Sequence, residues 1–366
     1  MASVFIYGTL CHLPLLELVS GDMPKISKDQ ITGFRATFST DHSYPVLVPD
    51  ADAVLPGLRL ENLGASALLR LDYYEGLFGY KRQAHTLSSG EVAEIYMPPA
   101  LETPTETPWD LTRWLPNWAD LTLEMAREIM ALEGCVAPGA ITARWGRMRM
   151  EAGARIRGKA TTRRGQFGHN DVTLTSTRHV HTGFFSTQAL DLSVPQYLSD
   201  DRLEMTREVM LVGDVITLLP YDPVHDRVLV VEQFRAGPFL RNDPAPWTWE
   251  PVAGLIDPLE SPEKAAIREC REETGQEIGK LIPIGAGYPS PGGLMEYHYN
   301  FIGLCDLSDD APRVAGLVDE HEDIQSSIVD FSKAYAGIMS GQVNTMPLMF
   351  GLSWLALNRD RLRAGA

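Results

Sequence analysis

The segment from residue 254 to residue 276 constrains this chain more than any other, because it marks both ends of one helix. Ser261 is a residue type that caps helix N-termini, and Pro262 suits the first helical turn. Gly275 is the residue type that ends helices in the left-handed conformation. The sequence therefore predicts a helix from about Pro262 to Thr274.

That helix carries three glutamates close to one stripe. Glu269, Glu272 and Glu273 are separated by three, four and one positions, so their side chains crowd together late in the helix. Like charges repel there, and the negative end of the helix dipole adds to the cost. A hard cation such as Mg²⁺ would offset this cost, and Arg268 can pair with one of the acids. The alternative, a solvated acidic face, does not explain why glycines bracket the acids.

The whole segment resembles the box of the Nudix hydrolase family, G-x5-E-x7-R-E-U-x-E-E-x-G-U, in which U is a bulky apolar residue. The charged and glycine positions of the box match in place from Gly254 to Gly275. The departures are Cys270 and Gln276, which stand where apolar residues are expected. Both positions concern packing and not metal binding, so they leave the resemblance intact.

The resemblance implies an α/β/α sandwich with a mixed sheet, and hydrolysis of a nucleoside diphosphate linked to another moiety. Metal ions, Mg²⁺ or Mn²⁺ in its place, would neutralise the diphosphate and activate a water molecule. The implied direct metal ligands are the Ala253 backbone carbonyl, Glu269 and Glu273. Glu272 would bind the metal directly or support the other ligands. Glu272 and Glu273 would also act in catalysis, whereas Glu260 and Arg268 would be structural.

Outside the box the resemblance narrows to the ADP-ribose pyrophosphatases and covers residues 170 to 363. Two matching segments are Val231–Arg235, a strand that ends in arginine, and Trp247–Gly254, which leads into the box. Two more are Ser290–Gly293, a proline-glycine loop, and Gly316–Asp323, an acidic loop. The match implies substrate-binding roles for Arg235, Pro291 and Glu296, the last of which binds metal or substrate. Glu320 in the acidic loop would be the catalytic base.

The resemblance therefore predicts Mg²⁺-dependent hydrolysis of ADP-ribose to AMP and ribose 5-phosphate. Because this branch commonly works as an intertwined homodimer, it also implies a homodimer. Two alternatives stay open. One is a diphosphatase of another sugar nucleotide or dinucleotide, such as GDP-mannose or NADH, and the other is a module that binds ADP-ribose without hydrolysing it. The intact glutamates of the box argue against the binding module.

The beginning of the chain carries a second resemblance. Three motifs within residues 1–100 carry it: Tyr7-Gly8-Thr9-Leu10, Tyr44-Pro45-Val46-Leu47-Val48-Pro49 and Leu71-Asp72-Tyr73-Tyr74-Glu75-Gly76. Together they resemble the γ-glutamylcyclotransferase-like fold, a small mixed β-barrel with helices. The resemblance implies that the loop of Tyr7, Gly8, Thr9 and Leu10 holds a γ-glutamyl group through backbone amides. Glu75 would then be the general acid and base for cyclisation to 5-oxoproline. Substrate recognition without catalysis, or a scaffold, stays open.

The pattern of apolar residues predicts further elements. They are a strand over residues 4–7, a helix over 66–76, amphipathic helices over 109–133, a β-hairpin of 215–219 with 228–231, and a last helix over 348–362. Gly76 is expected to end its helix, and Pro116 to break the amphipathic region in two.

The charge changes sign twice along the chain. Residues 1–143 carry 9 basic and 18 acidic side chains, residues 144–170 carry 8 and 1, and residues 171–366 carry 15 and 29. We therefore expect a two-domain α+β protein. Its parts would be a γ-glutamylcyclotransferase-like domain with a helical extension, a basic connector and a Nudix domain, with those boundaries. The basic segment lacks the interleaved aromatic residues and basic surroundings of a nucleic-acid site, which argues against a nucleic-acid partner.

The sequence also argues against a membrane partner. No apolar run approaches the roughly 18 residues that a membrane span needs, and the chain does not begin with the basic region of a signal peptide. We expect a cytoplasmic protein that acts on small molecules.

Overall fold

The computed structural model describes residues 2–99, 104–162, 165–307, 314 and 323–365. The chain divides into two compact units, the first comprising Met1–Asp171 with Thr177–Thr187 and the second Val172–Ser176 with Gln188–Ala366. Each unit combines a mixed sheet with helices. The predicted two-domain α+β class is thus confirmed.

The first unit is built on a five-stranded sheet. Its strands are β1 (Ala2–Ile6), β2 (Lys25–Phe38), β3 (Pro45–Leu63), β4 (Lys81–Thr86) and β5 (Val92–Met97). They lie in the order β2-β3-β1-β5-β4, in which only the β1–β5 pair is parallel. The strand predicted near residues 4–7 is the central strand β1, whose Val4 and Phe5 are buried.

Five helices accompany this sheet. They are α1 (Leu13–Ser20), α2 (Ala65–Gly76), α3 (Leu111–Ala131), α4 (Pro138–Thr142) and α5 (Trp145–Lys159). Val4 and Leu60 of the sheet share one buried cluster with Leu71 of α2, Ile129 of α3 and Ala152 of α5. The helical region after residue 110 is therefore part of the core of this unit.

Helix α3 is continuous through Pro116, so the predicted break is wrong. Asp110 caps its first turn by accepting a hydrogen bond from the Thr112 amide at 2.8 Å. A proline inside a helix costs about 3 kcal/mol, whereas burying one large apolar side chain contributes about 1.5–3 kcal/mol. Trp114 and Ile129 are both fully buried, and their burial keeps the helix intact.

Helix α2 also ends differently from the prediction. Gly76 lies inside the helix without a positive φ, and Leu77 follows it in the right-handed region. The left-handed turn falls instead at Gly79, whose φ is +78°. Glu75 lies in the last turn of α2, at the helix end where the sequence placed it.

The second unit is built around a mixed sheet. The division between the units falls within β6 (Thr173–Thr182) and β7 (Ser186–Pro195). The remaining strands are β8 (Arg202–Asp222), β9 (Arg227–Phe234), β10 (Trp247–Glu250), β11 (Val252–Leu255), β12 (Lys280–Gly287), β13 (Leu294–Leu304) and β14 (Gln325–Asp330). The central path is β10-β9-β8-β13-β12, with β11 paired to β8 and β14 to β9. Antiparallel β8 and β9 confirm the predicted hairpin.

Helices cover both faces of this sheet. They are α6 (Ala236–Leu240), α7 (Pro262–Thr274), α8 (Phe331–Ser340) and α9 (Met346–Ala364). Ile216 and Leu218 of β8 pack with Ala265 of α7, whereas Leu219 and Tyr221 of the same strand pack in a cluster with α8 and α9. Because side chains alternate across a strand, these two clusters lie on opposite faces. The predicted α/β/α sandwich is confirmed.

Helix α7 has the limits that its end residues predict. The Ser261 side chain accepts a hydrogen bond from the Lys264 amide, and Pro262 occupies the first turn. Gly275 ends the helix at φ +70°, in the left-handed region, and its amide bonds to the Arg271 carbonyl. These two ends fix the register of the glutamates that the helix carries.

Replacing Gly275 by alanine is expected to lower the free energy of unfolding by about 1–2 kcal/mol, because a residue with a Cβ is strained in the left-handed region. Urea unfolding followed by circular dichroism measures this change. The matched control is Gly237→Ala in α6, which has no positive φ and open space around the added methyl group. Equal unfolding midpoints for the two variants would contradict the expectation.

Candidate active site

The tightest packing in the predicted metal site joins strand β11 to helix α7. A Cβ atom at Gly254 would lie 2.1 Å from both Cδ and Oε1 of Glu269. No side chain fits in that space, so the packing of the two elements requires glycine. The contact brings the Glu269 carboxylate against the backbone of β11, where Ala253 is the preceding residue.

Arg268 binds three of the carboxylates of the box. Its Nη1 donates to Glu269 Oε1 at 2.8 Å and to Glu272 Oε2 at 3.0 Å. Its Nη2 donates to Glu260 Oε2 at 3.0 Å and to the Leu255 carbonyl at 3.3 Å. Burial alone would lower the pKa of Arg268, but the hydrogen bonds to Glu260 and the charge of Glu269 hold this pKa above its ordinary value. One permanent cation therefore gathers Glu260, Glu269 and Glu272.

The three glutamates of the helix stripe differ in exposure. Glu273 is only 2% exposed, the Glu269 side chain is 15% exposed and that of Glu272 is 34% exposed. Ala253 lies on β11 opposite Thr217 of β8, beside Gly254. Carboxylate oxygens and a backbone carbonyl are the donors that a hard divalent cation prefers. The residues present therefore fit such a cation.

Arg235 follows β9 directly and is bound by a residue that the sequence reasoning missed. Its Nε and Nη2 donate to the two oxygens of Glu250, at 2.8 and 2.6 Å, and the Thr248 hydroxyl donates to Glu250 Oε1 at 2.6 Å. This fork fixes the plane of a guanidinium group that is 44% exposed. A signal was present, because Glu250 belongs to the segment that resembles the approach to the box.

Glu296 lies near the beginning of β13, and its Oε1 is 3.0 Å from Nε2 of His298. Strands β11 and β13 flank β8, so that Leu255 and His298 both lie opposite Val215. Two strand spacings separate them, which is about 10 Å. Glu296, two residues nearer the beginning of β13, therefore lies toward the same end of the sheet as the loop that follows β11.

Two predicted residues of this site remain, Pro291 and Glu320. Pro291 lies in a turn before β13, in which the Leu294 amide donates to the Ser290 carbonyl at 3.1 Å. Glu320, the predicted catalytic base, lies outside the described residues.

A different group of metal-type side chains lies at the β8–β9 turn and was not predicted. Within the described part of the chain, donor atoms of Asp222, His225 and Asp306 lie within 4.8 Å of one another. Asp222 accepts hydrogen bonds from the amides of Val224 and His225, at 2.9 and 3.0 Å, and its Oδ2 lies 3.7 Å from Arg227. These contacts explain Asp222 as the residue that closes the hairpin turn.

The first unit contains a cavity of about 890 Å³, a volume that includes space open to solvent. Its walls come from β1, the loop after β1, α2, β5, α3 and α5. The residues predicted for this domain, Tyr7, Gly8, Thr9, Leu10 and Glu75, all line it. The structure thus brings together motifs that are about 70 positions apart in the sequence.

The first two motifs of this domain contact each other, and neighbouring tyrosines bind both. A Cβ atom at Gly8 would lie 2.6 Å from Cγ of Pro45, which belongs to the second motif. The Tyr80 hydroxyl donates to the Pro45 carbonyl at 3.5 Å, and the Tyr7 hydroxyl donates to the Tyr96 carbonyl at 3.4 Å. The close contact at Gly8 explains why the motif needs glycine at this position.

Asp72 of the third motif anchors the wall of the cavity beside Glu75. It accepts hydrogen bonds from the Tyr96 hydroxyl at 2.8 Å and from Arg82 at 2.6 and 3.0 Å. Burial raises the pKa of Tyr96, and the hydrogen bond to Asp72 raises it further. Tyr96 is therefore a neutral wall residue, and Glu75 is the acid that faces the cavity.

Comparison with known proteins covers both units. Residues 213–344 match the family model "NUDIX domain", and residues 4–115 match "Gamma-glutamyl cyclotransferase, AIG2-like". An ADP-ribose pyrophosphatase of Haemophilus influenzae is 31% identical over 199 residues, which cover 54% of this chain and 91% of that protein. The chain belongs to the Nudix hydrolase family. The predicted family of each domain is confirmed.

The chain is also similar to two further curated relatives and to one solved structure. An ADP-ribose pyrophosphatase of Escherichia coli K12 is 33% identical, over 54% of this chain and 93% of that protein. A GDP-mannose pyrophosphatase of Shigella flexneri is 32% identical, over 42% of this chain and 78% of that protein. A solved structure titled "Crystal structure of ADP compounds hydrolase" aligns with 54% of this chain and 100% of its own, at a TM-score of 0.39 and 16% identity.

Membership of the Nudix family indicates what the carboxylates on α7 bind. Nudix hydrolases use a divalent metal, and the carboxylates gathered on α7 suit one. In the described part of the chain, no helix is both long enough and apolar enough to cross a bilayer.

Replacing Gly254 by alanine is expected to displace Glu269 and to lower kcat/KM of the metal-dependent hydrolysis by about 10²-fold, since a shift of about 1 Å in a reacting group can cost that much. Steady-state formation of the hydrolysis products, followed by chromatography, measures the loss. Gly287→Ala in β12 is the matched control, because an added Cβ there meets no atom within 4 Å. Full activity of the Gly254 variant would show that the close approach to Glu269 is dispensable.

Proposed function

We propose that the Nudix domain hydrolyses ADP-ribose to AMP and ribose 5-phosphate with Mg²⁺, for which Mn²⁺ can substitute. The observation that carries this proposal is the Arg268 guanidinium, which gathers Glu260, Glu269 and Glu272 beside the backbone of β11. The two ADP-ribose pyrophosphatases, similar over almost their whole lengths, support the choice of substrate.

The side chains of the box would hold the cation. Glu269, Glu273 and the Ala253 carbonyl would bind it directly, and Glu272 would bind it or support the other two. When bound, the cation neutralises the diphosphate and lowers the pKa of a water molecule. Arg268 donates hydrogen bonds to Glu269 and Glu272 and fixes their orientation.

Residues of the neighbouring loops would hold the substrate. The planar guanidinium of Arg235 suits phosphate oxygens, and Glu250 fixes its plane. Glu296 and Pro291 would line the site, with Glu296 close to either the metal or the substrate. Glu320 would accept a proton from the attacking water, while Glu272 and Glu273 act from the box.

The GDP-mannose pyrophosphatase relative keeps another nucleotide sugar as the second candidate substrate. Hydrolysis of NADH would test whether the substrate is a dinucleotide. A module that binds ADP-ribose without hydrolysis is the third possibility, and only product analysis distinguishes it.

Under Mg²⁺, the wild-type protein is expected to release AMP and ribose 5-phosphate from ADP-ribose faster than it hydrolyses GDP-mannose or NADH. Glu273→Gln is expected to lower kcat by about 10²-fold or more, since even residues that only support metal ligands are worth about 10–100-fold. Chromatography of the products measures both effects.

The matched control for that variant is Glu277→Gln, because Glu277 is exposed and pairs with Arg271 at 2.8 Å. Surface pairs of this kind contribute little. An equal or higher rate on GDP-mannose or NADH would overturn the choice of substrate. Binding of ADP-ribose without products would overturn hydrolysis.

A second activity is favoured by the cavity of the first unit, which Glu75 and the Tyr7–Leu10 loop line together. We propose that it cyclises γ-glutamyl compounds to 5-oxoproline. The substrate's α-amino nitrogen would attack its own γ-carbonyl carbon, and the bond to the leaving amine would break. Glu75 would accept the proton of the attacking nitrogen and give it to the leaving amine.

Glu75→Gln is expected to abolish release of 5-oxoproline from a panel of γ-glutamyl compounds, because a carboxamide cannot carry the proton. Mass spectrometry of the products measures this release. Glu17→Gln on α1, an exposed position outside the cavity, is the matched control. No release by the wild-type protein across the panel would favour a recognition or scaffold role.

Two properties of the whole chain remain proposals. We propose a homodimer, as in the branch to which the second unit belongs, which sedimentation would test. We also propose location in the cytoplasm, which fractionation of cells would test.

A further inference from the structure

The cavity of the first unit extends beyond the part of the chain that matches the cyclotransferase family. That match ends at residue 115. Trp118, Thr122 and Met125 of α3 and Trp145 and Arg149 of α5 also line the cavity, and all of them follow residue 115. Helix α3 beyond residue 115 and helix α5, together called the helical extension from here on, therefore supply a wall of the site that the family match does not include. Helix α5 lies in the segment 144–170 that was expected to be a connector.

Buried ion pairs fix this wall in place. Arg144 donates to Glu151 at 2.8 Å, and Arg155 donates to Glu128 of α3 at 2.8 Å. Arg144, Glu128 and Glu151 are each less than a tenth exposed. Breaking a buried pair is costly, because it leaves a charge without its partner. Helix α5 is thus held firmly against α3, which makes its cavity face a preformed surface.

The wall is aromatic and carries one cation. The Trp145 ring meets the ring of Phe78 edge to face, with centroids 5.0 Å apart, and the Arg149 guanidinium lies 5.2 Å from the Trp118 ring centroid. Among the residues that line the cavity, the charged side chains are Glu75 and Arg149. Arg149 Nη1 donates to Asp41 at 3.3 Å, which uses one of the five N–H donors of its guanidinium group.

Arg149, the second charged group that lines the cavity, lies on α5, whereas Glu75, the predicted catalytic acid, lies on α2. A γ-glutamyl compound has two halves, and Glu75 with the Tyr7–Leu10 loop would engage the glutamyl half. The leaving half would then face the aromatic wall. A ring suits such a wall because aromatic pairs gain about 0.5–1.5 kcal/mol beyond burial, and a carboxylate suits an arginine fork.

We infer that the helical extension selects γ-glutamyl conjugates of aromatic amino acids, with the ring against Trp118 and Trp145 and the leaving half's carboxylate at Arg149. This inference rests on the part of the proposed function by which the cavity binds γ-glutamyl compounds. The aromatic lining agrees with it, because a small leaving group such as glycine would leave the rings of Trp118 and Trp145 uncovered.

The test compares three substrates of the full-length protein: γ-glutamyl-phenylalanine, γ-glutamyl-glycine, and γ-glutamyl-phenethylamine, which has the ring but lacks the carboxylate. We expect kcat/KM to be at least about tenfold higher for the phenylalanine compound than for the glycine compound. Arg149→Met should raise KM for the phenylalanine compound about tenfold with kcat unchanged, which corresponds to about 1.4 kcal/mol. It should leave the phenethylamine compound unaffected.

Arg113→Met is the matched control, because Arg113 lies at the beginning of α3 and does not line the cavity. Arg149→Lys retains the charge and should restore part of the lost affinity. Equal turnover of the glycine and phenylalanine compounds, or an equal effect of Arg149→Met on the phenylalanine and phenethylamine compounds, would overturn the inference while leaving cyclisation intact.

Calorimetry with the Glu75→Gln protein separates recognition from catalysis. If the wild-type protein releases no 5-oxoproline but the Glu75→Gln protein binds the phenylalanine compound more tightly than the glycine compound, the proposed cyclisation fails and the inference stands. If none of the three compounds binds, the inference is overturned.

Discussion

The Arg268 guanidinium is the interaction on which the second unit depends. It joins Glu260, which precedes α7, to Glu269 and Glu272, which would otherwise repel each other near the negative end of the helix. It also bonds to the Leu255 carbonyl, so the helix is tied to the strand that carries the box glycine. Helix register, packing of the strand and orientation of the carboxylates are therefore parts of one arrangement. A cation bound there would meet donors whose positions are already fixed, which lowers the entropy cost of binding.

The first unit reaches a comparable arrangement by different means. Its motifs converge because Gly8 has no side chain to keep Pro45 away, and because Asp72 binds Tyr96 and Arg82 together. Glu75 then faces a cavity that the helical extension completes. In both units a glycine allows close packing and an ionic network fixes the orientation of nearby groups. The chemistry expected of each unit depends on the acidic side chains that face its site, and the ionic network determines which ones do so.

The sequence predicted what depends on local rules and missed what depends on pairing in space. The ends of α7 followed from Ser261 and Gly275, because capping is decided within a few residues. The break at Pro116 was wrong because burial of distant side chains outweighed a local penalty. Glu250 was missed because its bond to Arg235 arises only when β10 pairs with β9. Residues 144–170 were expected to form a basic connector, since nothing in their sequence shows that Trp145 and Arg149 line a cavity.

Diffraction from crystals soaked in Mn²⁺, recorded at the manganese edge, tests whether the carboxylates on α7 bind a divalent cation. The anomalous map locates the cation without reference to activity. We expect a peak within coordination distance of the carboxylates of Glu269 and Glu273 and of the Ala253 carbonyl, with Arg268 still bound to Glu269. A map with no peak there, or with manganese only at Asp222, His225 and Asp306, would contradict this expectation.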